Sequence, residues 1–260
     1  MAPITIQNFT CGYPRGFRVG PLNISWELGS IGGIIGRNGS GKSTLFKGLM
    51  GDIPSSGNFL LGDLPLGKIP LKRKATKMAI VQQFLPTAPI TVEDYVLLGR
   101  LPYLPKFSFS FSEHDKTLAL KKMEDAGVDH LRHRLLTEIS GGELQMVSVA
   151  KALAQEPAIL LLDEPTSHLD ITYQTKIIAL LKQVLKQNPN LLVLVIIHDL
   201  NQASEWCDTV SLISKGQLLA HGSPNSVLTP QLIKQAYNVD IAIHNSPITG
   251  RPIITNKTSL

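Results

Sequence analysis

The stretch Gly36-Arg37-Asn38-Gly39-Ser40-Gly41-Lys42-Ser43-Thr44 admits few folds. It follows the apolar run Ile31-Gly32-Gly33-Ile34-Ile35, which reads as a buried strand, and leads into a helical pattern over residues 45–50. Three glycines let the backbone curl until successive N–H groups face one anion, and the following helix turns the positive end of its dipole to the same point. Lys42 would then reach the β- and γ-phosphates of a nucleotide, and the Ser43 hydroxyl is placed to ligate Mg²⁺. The chain is therefore expected to bind a nucleotide, and the other segments are read for what they do to it.

A chain of 260 residues, 43% of them hydrophobic, can bury a substantial core. No apolar run approaches the ~18 to 20 residues that span a bilayer, since the longest, 191–197, stops at His198 and Asp199. Any membrane role is thus expected to come through a partner. The start Met1-Ala2-Pro3-Ile4 lacks the basic and apolar regions of a signal peptide, which favours the cytoplasm. Two cysteines, Cys11 and Cys207, give no disulfide framework. The net charge of +5 is scattered apart from Lys72-Arg73-Lys74 with Lys77, a cluster that a solvated face explains, and no nucleic-acid partner is expected.

Residues 3–28 alternate in short stretches broken by Gly12, Pro14, Gly16 and Pro21, which predicts a small antiparallel sheet. Tyr13 lies in its turn, where an aromatic ring could stack on a nucleobase or be an ordinary loop side chain. Beyond the phosphate loop, Ser55-Ser56-Gly57 and Gly62-Asp63 read as turns around the strand Asn58-Phe59-Leu60-Leu61. Met78-Ala79-Ile80-Val81 is a short strand ending at Gln82-Gln83, where a glutamine can bond Mg²⁺ or its water or simply close the strand. Prolines and phenylalanines mark a change of composition over residues 84–111. Thr91 caps a helix over 92–99 with Asp94 three residues on, and Ala119, Met123 and Ala126 give an amphipathic helix over 113–127. Residues 85–155 are expected to be a mainly helical insertion in an α/β core.

Ser140 and Glu143 form a capping box, so plain helix initiation explains both. Gly141 and Gly142 between them cost helix stability and suggest close approach of something to bare N–H groups, such as a phosphate. The apolar strand Ala158-Ile159-Leu160-Leu161-Leu162 ends in Asp163-Glu164, and 171–185 is the next helix. In a phosphate-loop protein the first carboxylate is a Mg²⁺ partner and the second can orient or deprotonate water. A further buried strand, 191–197, ends at His198. A lone histidine there is often structural, yet Gly36, Gln83, Asp163-Glu164 and His198 all fall past the ends of buried strands, the edge where open α/β sheets hold ligands. Residues 209–220 read as a strand pair turned at Lys215-Gly216, 229–236 as a short helix and 239–256 as an irregular or stranded tail.

Taken together these residues resemble the ATP-binding cassette ATPases over nearly the whole chain. Residues 36–44 are similar to Walker A, Gln83 to the Q-loop glutamine, 139–143 to the signature sequence, 158–164 to Walker B, 167–170 to the D-loop and His198 to the switch histidine. Residues 91–100, Pro102, Glu143 of the signature, 166–170 and the tail 247–252 resemble bacterial importers of iron-siderophores, haem, cobalamin or molybdate. Two positions depart from the family: Gln82 stands where proline usually precedes the glutamine, and Met146 where arginine is common.

The resemblance implies an α/β phosphate-loop NTPase core (a RecA-like mixed sheet, 1–84 and 156–230) with an N-terminal antiparallel β subdomain, an inserted α-helical subdomain (85–155) and a C-terminal extension (231–260). It implies a head-to-tail homodimer around two ATP molecules, each held by residues 36–44 of one subunit and Ser140, Gly141, Gly142 and Glu143 of the other. Tyr13 would stack on adenine, with Ser43, Gln83 and Asp163 serving Mg²⁺. Glu164 would be the general base, with Lys42, Gln83 and His198 at the reacting phosphate and Asp170 linking the two sites. The implied partners are integral membrane permease subunits and, indirectly, an extracytoplasmic substrate-binding protein, which places the chain on the cytoplasmic face of the inner membrane. The alternative is a soluble cassette ATPase of a cytoplasmic assembly, such as iron-sulfur cluster building. The single cassette and the importer-like run 91–102 weigh against it.

Overall fold

The computed structural model describes residues 3–83, 88–105 and 110–257. The chain divides into two compact units, one of residues 1–68 and 192–260 and the other of 69–191. The first opens with β1 (Ile4–Gly12) and β2 (Arg18–Trp26), antiparallel, with Ile4 opposite Trp26 and Gly12 opposite Arg18. Ile4 and Ile6 of β1 and Leu22, Ile24 and Trp26 of β2 are buried in alternation, and Phe9 and Val19 are buried across shifts of register in the ladder. Next come β3 (Ile31–Ile35), buried at every residue, the phosphate loop, and α1 (Lys42–Met50). β4 (Ser55–Leu61) pairs with β1 and is extended by β5 (Leu64–Pro65), giving the order β2-β1-β4-β5. Ser55, Ser56 and Gly57, read from the sequence as a turn, belong to β4. Ser55 and Ser56 pair with Cys11 and Thr10 beyond an irregularity in β1 at which Asn8 takes a φ of 47°.

The second unit contains α2 (Leu71–Ala75), β6 (Met78–Val81), α3 (Val92–Leu97), α4 (Glu113–Asp125), α5 (Gly141–Ala154), β7 (Ile159–Asp163) and α6 (Ile171–Gln187). β6 and β7 are parallel, with Val81 opposite Leu162. Thr91 caps α3 as predicted, accepting from Asp94 N at 3.1 Å. After α3 the chain tightens into a 3-10 turn over Leu98–Tyr103 that buries Arg100. The Arg100 guanidinium bonds Asp115 Oδ1 at 2.8 Å, Glu156 Oε2 at 2.9 Å and Ala154 O at 2.8 Å. Asp115 also closes a capping box with Ser112 at the start of α4.

Back in the first unit follow β8 (Leu192–Ile196), α7 (Leu200–Trp206), β9 (Thr209–Ser214), β10 (Gln217–Gly222), α8 (Pro224–Val227), α9 (Pro230–Tyr237), β11 (Ile241–Asn245) and β12 (Pro252–Asn256). β3 lies between β8 and β9, parallel to both, and β10 runs antiparallel to β9, so the sheet is mixed as expected. Lys215 and Gly216 turn β9 into β10 with φ of 50° and 79°. β11 and β12 form a regular antiparallel hairpin, the stranded form of the expected tail. Among the described residues no helix is long and apolar enough to cross a membrane.

Candidate nucleotide site

In the first unit the loop after β3 curls as its glycines predict: Gly36, Gly39 and Gly41 take φ of 149°, 77° and 109°. Gly41 is also hemmed in, since a Cβ there would lie 2.5 Å from Val19 Cγ2 and 2.9 Å from Phe17 Cε1. It stands at the N-cap of α1, where a glycine brings no capping side chain to the helix start that faces an anion in such loops. Lys42 is 5% exposed and its Nζ donates to Gly36 O at 2.8 Å and Arg37 O at 3.2 Å. Arg37, Asn38 and Gly39 are exposed, Ser43 and Thr44 half-buried. Ser40 is buried, and its hydroxyl has no hydrogen-bond partner, a donor left over inside the phosphate cradle.

His198 is exposed just past β8. In the ladder Ile34 of β3 faces Ile196 of β8, so Gly36 and His198 each stand two residues beyond paired residues, at one edge of the same sheet. Beside the loop lies a cavity of about 480 Å³, lined among others by Phe17, Arg37, Lys215, Gln235 and Asn238. Tyr13 is 45% exposed, with its N–H donating to Phe17 O at 3.3 Å. The ring that touches the loop is that of Phe17. The sequence showed two aromatics in this turn and could not show which one the turn aims at Gly41.

In the second unit β6 and β7 are in register at Val81 and Leu162, which carries Gln83 and Glu164 to the same level two residues further on. Gln83 Nε2 donates to Glu164 Oε2 at 2.9 Å, and Ser167 Oγ donates to the same oxygen at 3.1 Å. Gln82 is exposed and Gln83 half-buried, so the departure at Gln82 leaves the glutamine contact intact. Glu164 has a φ of 54° and His168 of 64°, left-handed conformations that non-glycine residues seldom take. Strain at a strand end beside two carboxylates is a signal that only the fold supplies. Asp163 is half-buried, and Asp170 is exposed and caps α6, accepting from Tyr173 N at 3.0 Å.

At the start of α5 the capping box is present: Ser140 Oγ accepts from Glu143 N at 3.3 Å, and Ser140 N donates to Glu143 Oε2 at 2.7 Å. The Ser140 N–H and then its hydroxyl hold the Glu143 carboxyl below its ordinary range. The two glycines differ. A Cβ on Gly142 would run into the Tyr173 ring, whereas one on Gly141 would meet nothing within 4 Å. Packing against Tyr173 gives Gly142 a reason of its own to lack a side chain, beside the sequence reading of both glycines as amides open to a phosphate; Gly141 has no such neighbour. Met146 is buried and borders a cavity of about 310 Å³ with Glu124, Asp125 and Lys176.

A family model described as ABC transporter matches residues 19–167. The chain is 39% identical over 253 residues to the hemin import ATP-binding protein HmuV of Burkholderia lata, covering 90% of this chain and 92% of that one. It is 34% identical over 256 residues to the iron(3+)-hydroxamate import ATP-binding protein FhuC of Bacillus subtilis, covering 97% and 94%. In fold it is similar to a chain of a transporter described as metal-chelate type, facing inward, with TM-score 0.82, 24% identity and coverage of 100% and 99%. It is also similar to cbiO1 of Clostridium perfringens, part of the cbiONQ complex, with TM-score 0.75, 24% identity and coverage of 90% and 94%. The chain belongs to the ABC transporter family and is one of its ATPases.

Proposed function

We propose that the protein is the ATP-hydrolysing subunit of a bacterial importer, powering uptake of an iron-siderophore, haem or related metal chelate through a membrane permease. The observation that carries the chemistry is Glu164: a carboxylate at a strand end, in a strained backbone conformation, oriented by Gln83 and Ser167. The import reading is supported by relatives named for hemin, hydroxamate and achromobactin transport that match 90% or more of this chain. The soluble-assembly alternative has no such support.

In this reading the loop amides and Lys42 hold the phosphates, and Phe17 or Tyr13 offers a ring to the base. Ser43, Gln83 and Asp163 supply oxygen donors of the kind Mg²⁺ takes. When bound, Mg²⁺ would neutralise charge on the β- and γ-phosphates. Glu164 takes the proton of the attacking water and His198 donates a hydrogen bond toward the γ-phosphate. Gly141 and Gly142, with Ser140 and Glu143, present the start of α5 to the nucleotide of a second copy, and Asp170 joins the two sites. Residues 85–155 act as the lever on the permease at the inner membrane, and an extracytoplasmic binding protein delivers the chelate.

In this reading residues 84–105 meet the permease; of their described residues Leu101 and Tyr103, 50% and 38% exposed, are the exposed large apolar ones, Tyr95 is buried, Leu104 is half-buried, and Phe84 and Leu85 lie outside the described residues. Tyr103 is tied to the chain, with Arg100 over its ring at 3.9 Å and its hydroxyl donating to Gln155 O at 2.9 Å. Leu101 is therefore the cleaner probe. Leu101→Glu is expected to leave the ATPase activity of the isolated subunit within about twofold of the parent while lowering permease copurification and chelate uptake at least about tenfold. Parental copurification and uptake would remove this segment from the coupling surface.

A further inference from the structure

α7 is a seven-residue helix that begins directly after His198 and Asp199, and a helix this short does not hold itself together in water. Its start is capped by Asp199 Oδ1, which accepts from Asn201 N at 2.7 Å and Gln202 N at 3.2 Å. Ala203 buries its apolar side, and polar bonds from β12 and Arg251 hold the rest. The Asn201 carboxamide completes a two-way bond with the backbone of β12, donating to Ile254 O at 3.1 Å and accepting from Ile254 N at 2.7 Å. Ser204, 1% exposed, donates to Pro252 O at 2.7 Å. Arg251, at the foot of β12, donates through Nη1 to Ser204 O at 2.6 Å, Cys207 O at 2.8 Å and Glu205 O at 3.2 Å. A guanidinium on the terminal carbonyls of a helix satisfies acceptors that have no partner within it and complements the negative end of its dipole.

A two-stranded hairpin such as β11–β12 is marginal alone, so hairpin and α7 stabilise one another. We propose that the C-terminal hairpin is a positioning element for His198: by clamping α7 at Asn201, Ser204 and its last carbonyls, it fixes the chain that carries the histidine past β8. The proposal rests on the reading of His198 as a γ-phosphate contact. It makes Arg251 and Asn201 residues that act on turnover through His198 without touching the nucleotide.

The test is a double-mutant cycle in the full chain, measuring phosphate release from Mg-ATP, KM for ATP and thermal unfolding for the parent, Arg251→Ala, His198→Ala and the double variant. Arg251→Ala is expected to lower kcat about tenfold with KM within about twofold, because a misplacement of roughly an ångström costs turnover more than ground-state binding. In the His198→Ala background the same change is expected to cost less than about twofold, and Arg251→Lys, which keeps a donor at the carbonyls, should recover most of the loss in the parental background. Should Arg251→Ala fail to fold, Asn201→Ala takes its place in the cycle with the same expectations. An equal loss of kcat in both backgrounds, or no loss in either, overturns the positioning role while leaving the reading of His198 standing. Parental turnover by His198→Ala removes the reading of His198 itself, and the proposal with it.

Discussion

Gly141 and Gly142 stand side by side with different reasons for lacking a side chain. Gly142 packs against the Tyr173 ring of α6, so a methyl group there must displace the ring. Gly141 is exposed and clear of any neighbour, and an alanine at that position removes backbone entropy from the unfolded chain. Gly142→Ala is therefore expected to destabilise the protein by about 1 to 3 kcal/mol. Gly141→Ala should leave stability unchanged or slightly raised, yet lower ATP turnover, because in the proposed dimer its methyl group would face the nucleotide of the partner copy. Thermal melts beside phosphate release separate the two; equal melting loss for both variants would contradict the assignment. From sequence the pair read as two equivalent bare amides, since nothing in the motif reveals that the start of α6 folds back onto one of them.

Arg100 shows the same limit among the elements. In the sequence it belongs to a run that resembles importers, while in the fold it is a buried cation joining the turn after α3 to α4 and to the end of α5. Burial disfavours the ionised Asp115 carboxyl, but the Ser112 hydroxyl, the Arg100 hydrogen bond and the Ser112 N–H outweigh it and hold the group below its ordinary value. The ionised form thus belongs to the folded state. Its contribution is complete above the ordinary carboxylate range and is withdrawn as pH falls through the lowered value. Asp115→Asn is expected to cost about 2 to 3 kcal/mol near neutral pH, Glu156 still pairing the guanidinium, and the gap in melting temperature from the parent should narrow in acid. A gap that stays constant with pH would mean that packing, not charge, is what Asp115 provides. The elements found from sequence are those whose pattern is local: β3, β7 and β8 are apolar runs, α3 begins at a capping threonine, α4 carries Ala119, Met123 and Ala126 on one face, and α5 begins at a capping box. α7 escaped because Leu200-Asn201-Gln202-Ala203-Ser204-Glu205-Trp206 has little apolar periodicity, and part of its hold comes from bonds of Asn201 and Ser204 to β12 and of the distant Arg251 to its last carbonyls.

For the whole molecule, sequence order already placed the polar strand ends at one kind of edge, and the ladders bear this out within each unit: Gly36 with His198, and Gln83 with Glu164. The ring at Gly41, the strain at Glu164 and the clamp on α7 depend on contacts between residues far apart in the chain, which no local pattern encodes. In the proposed enzyme Glu164 acts on water while the phosphate cradle and the start of α5 bind ATP without it. The most direct measurement is phosphate release from Mg-ATP by Glu164→Gln beside the parent, with size-exclusion chromatography in the presence and absence of ATP. Loss of a general base is expected to lower turnover by roughly 10²- to 10⁴-fold. ATP binding should persist, and the variant should elute as a dimer only when ATP is present. Turnover at the parental rate, or a variant that no longer binds ATP, would contradict the central assignment.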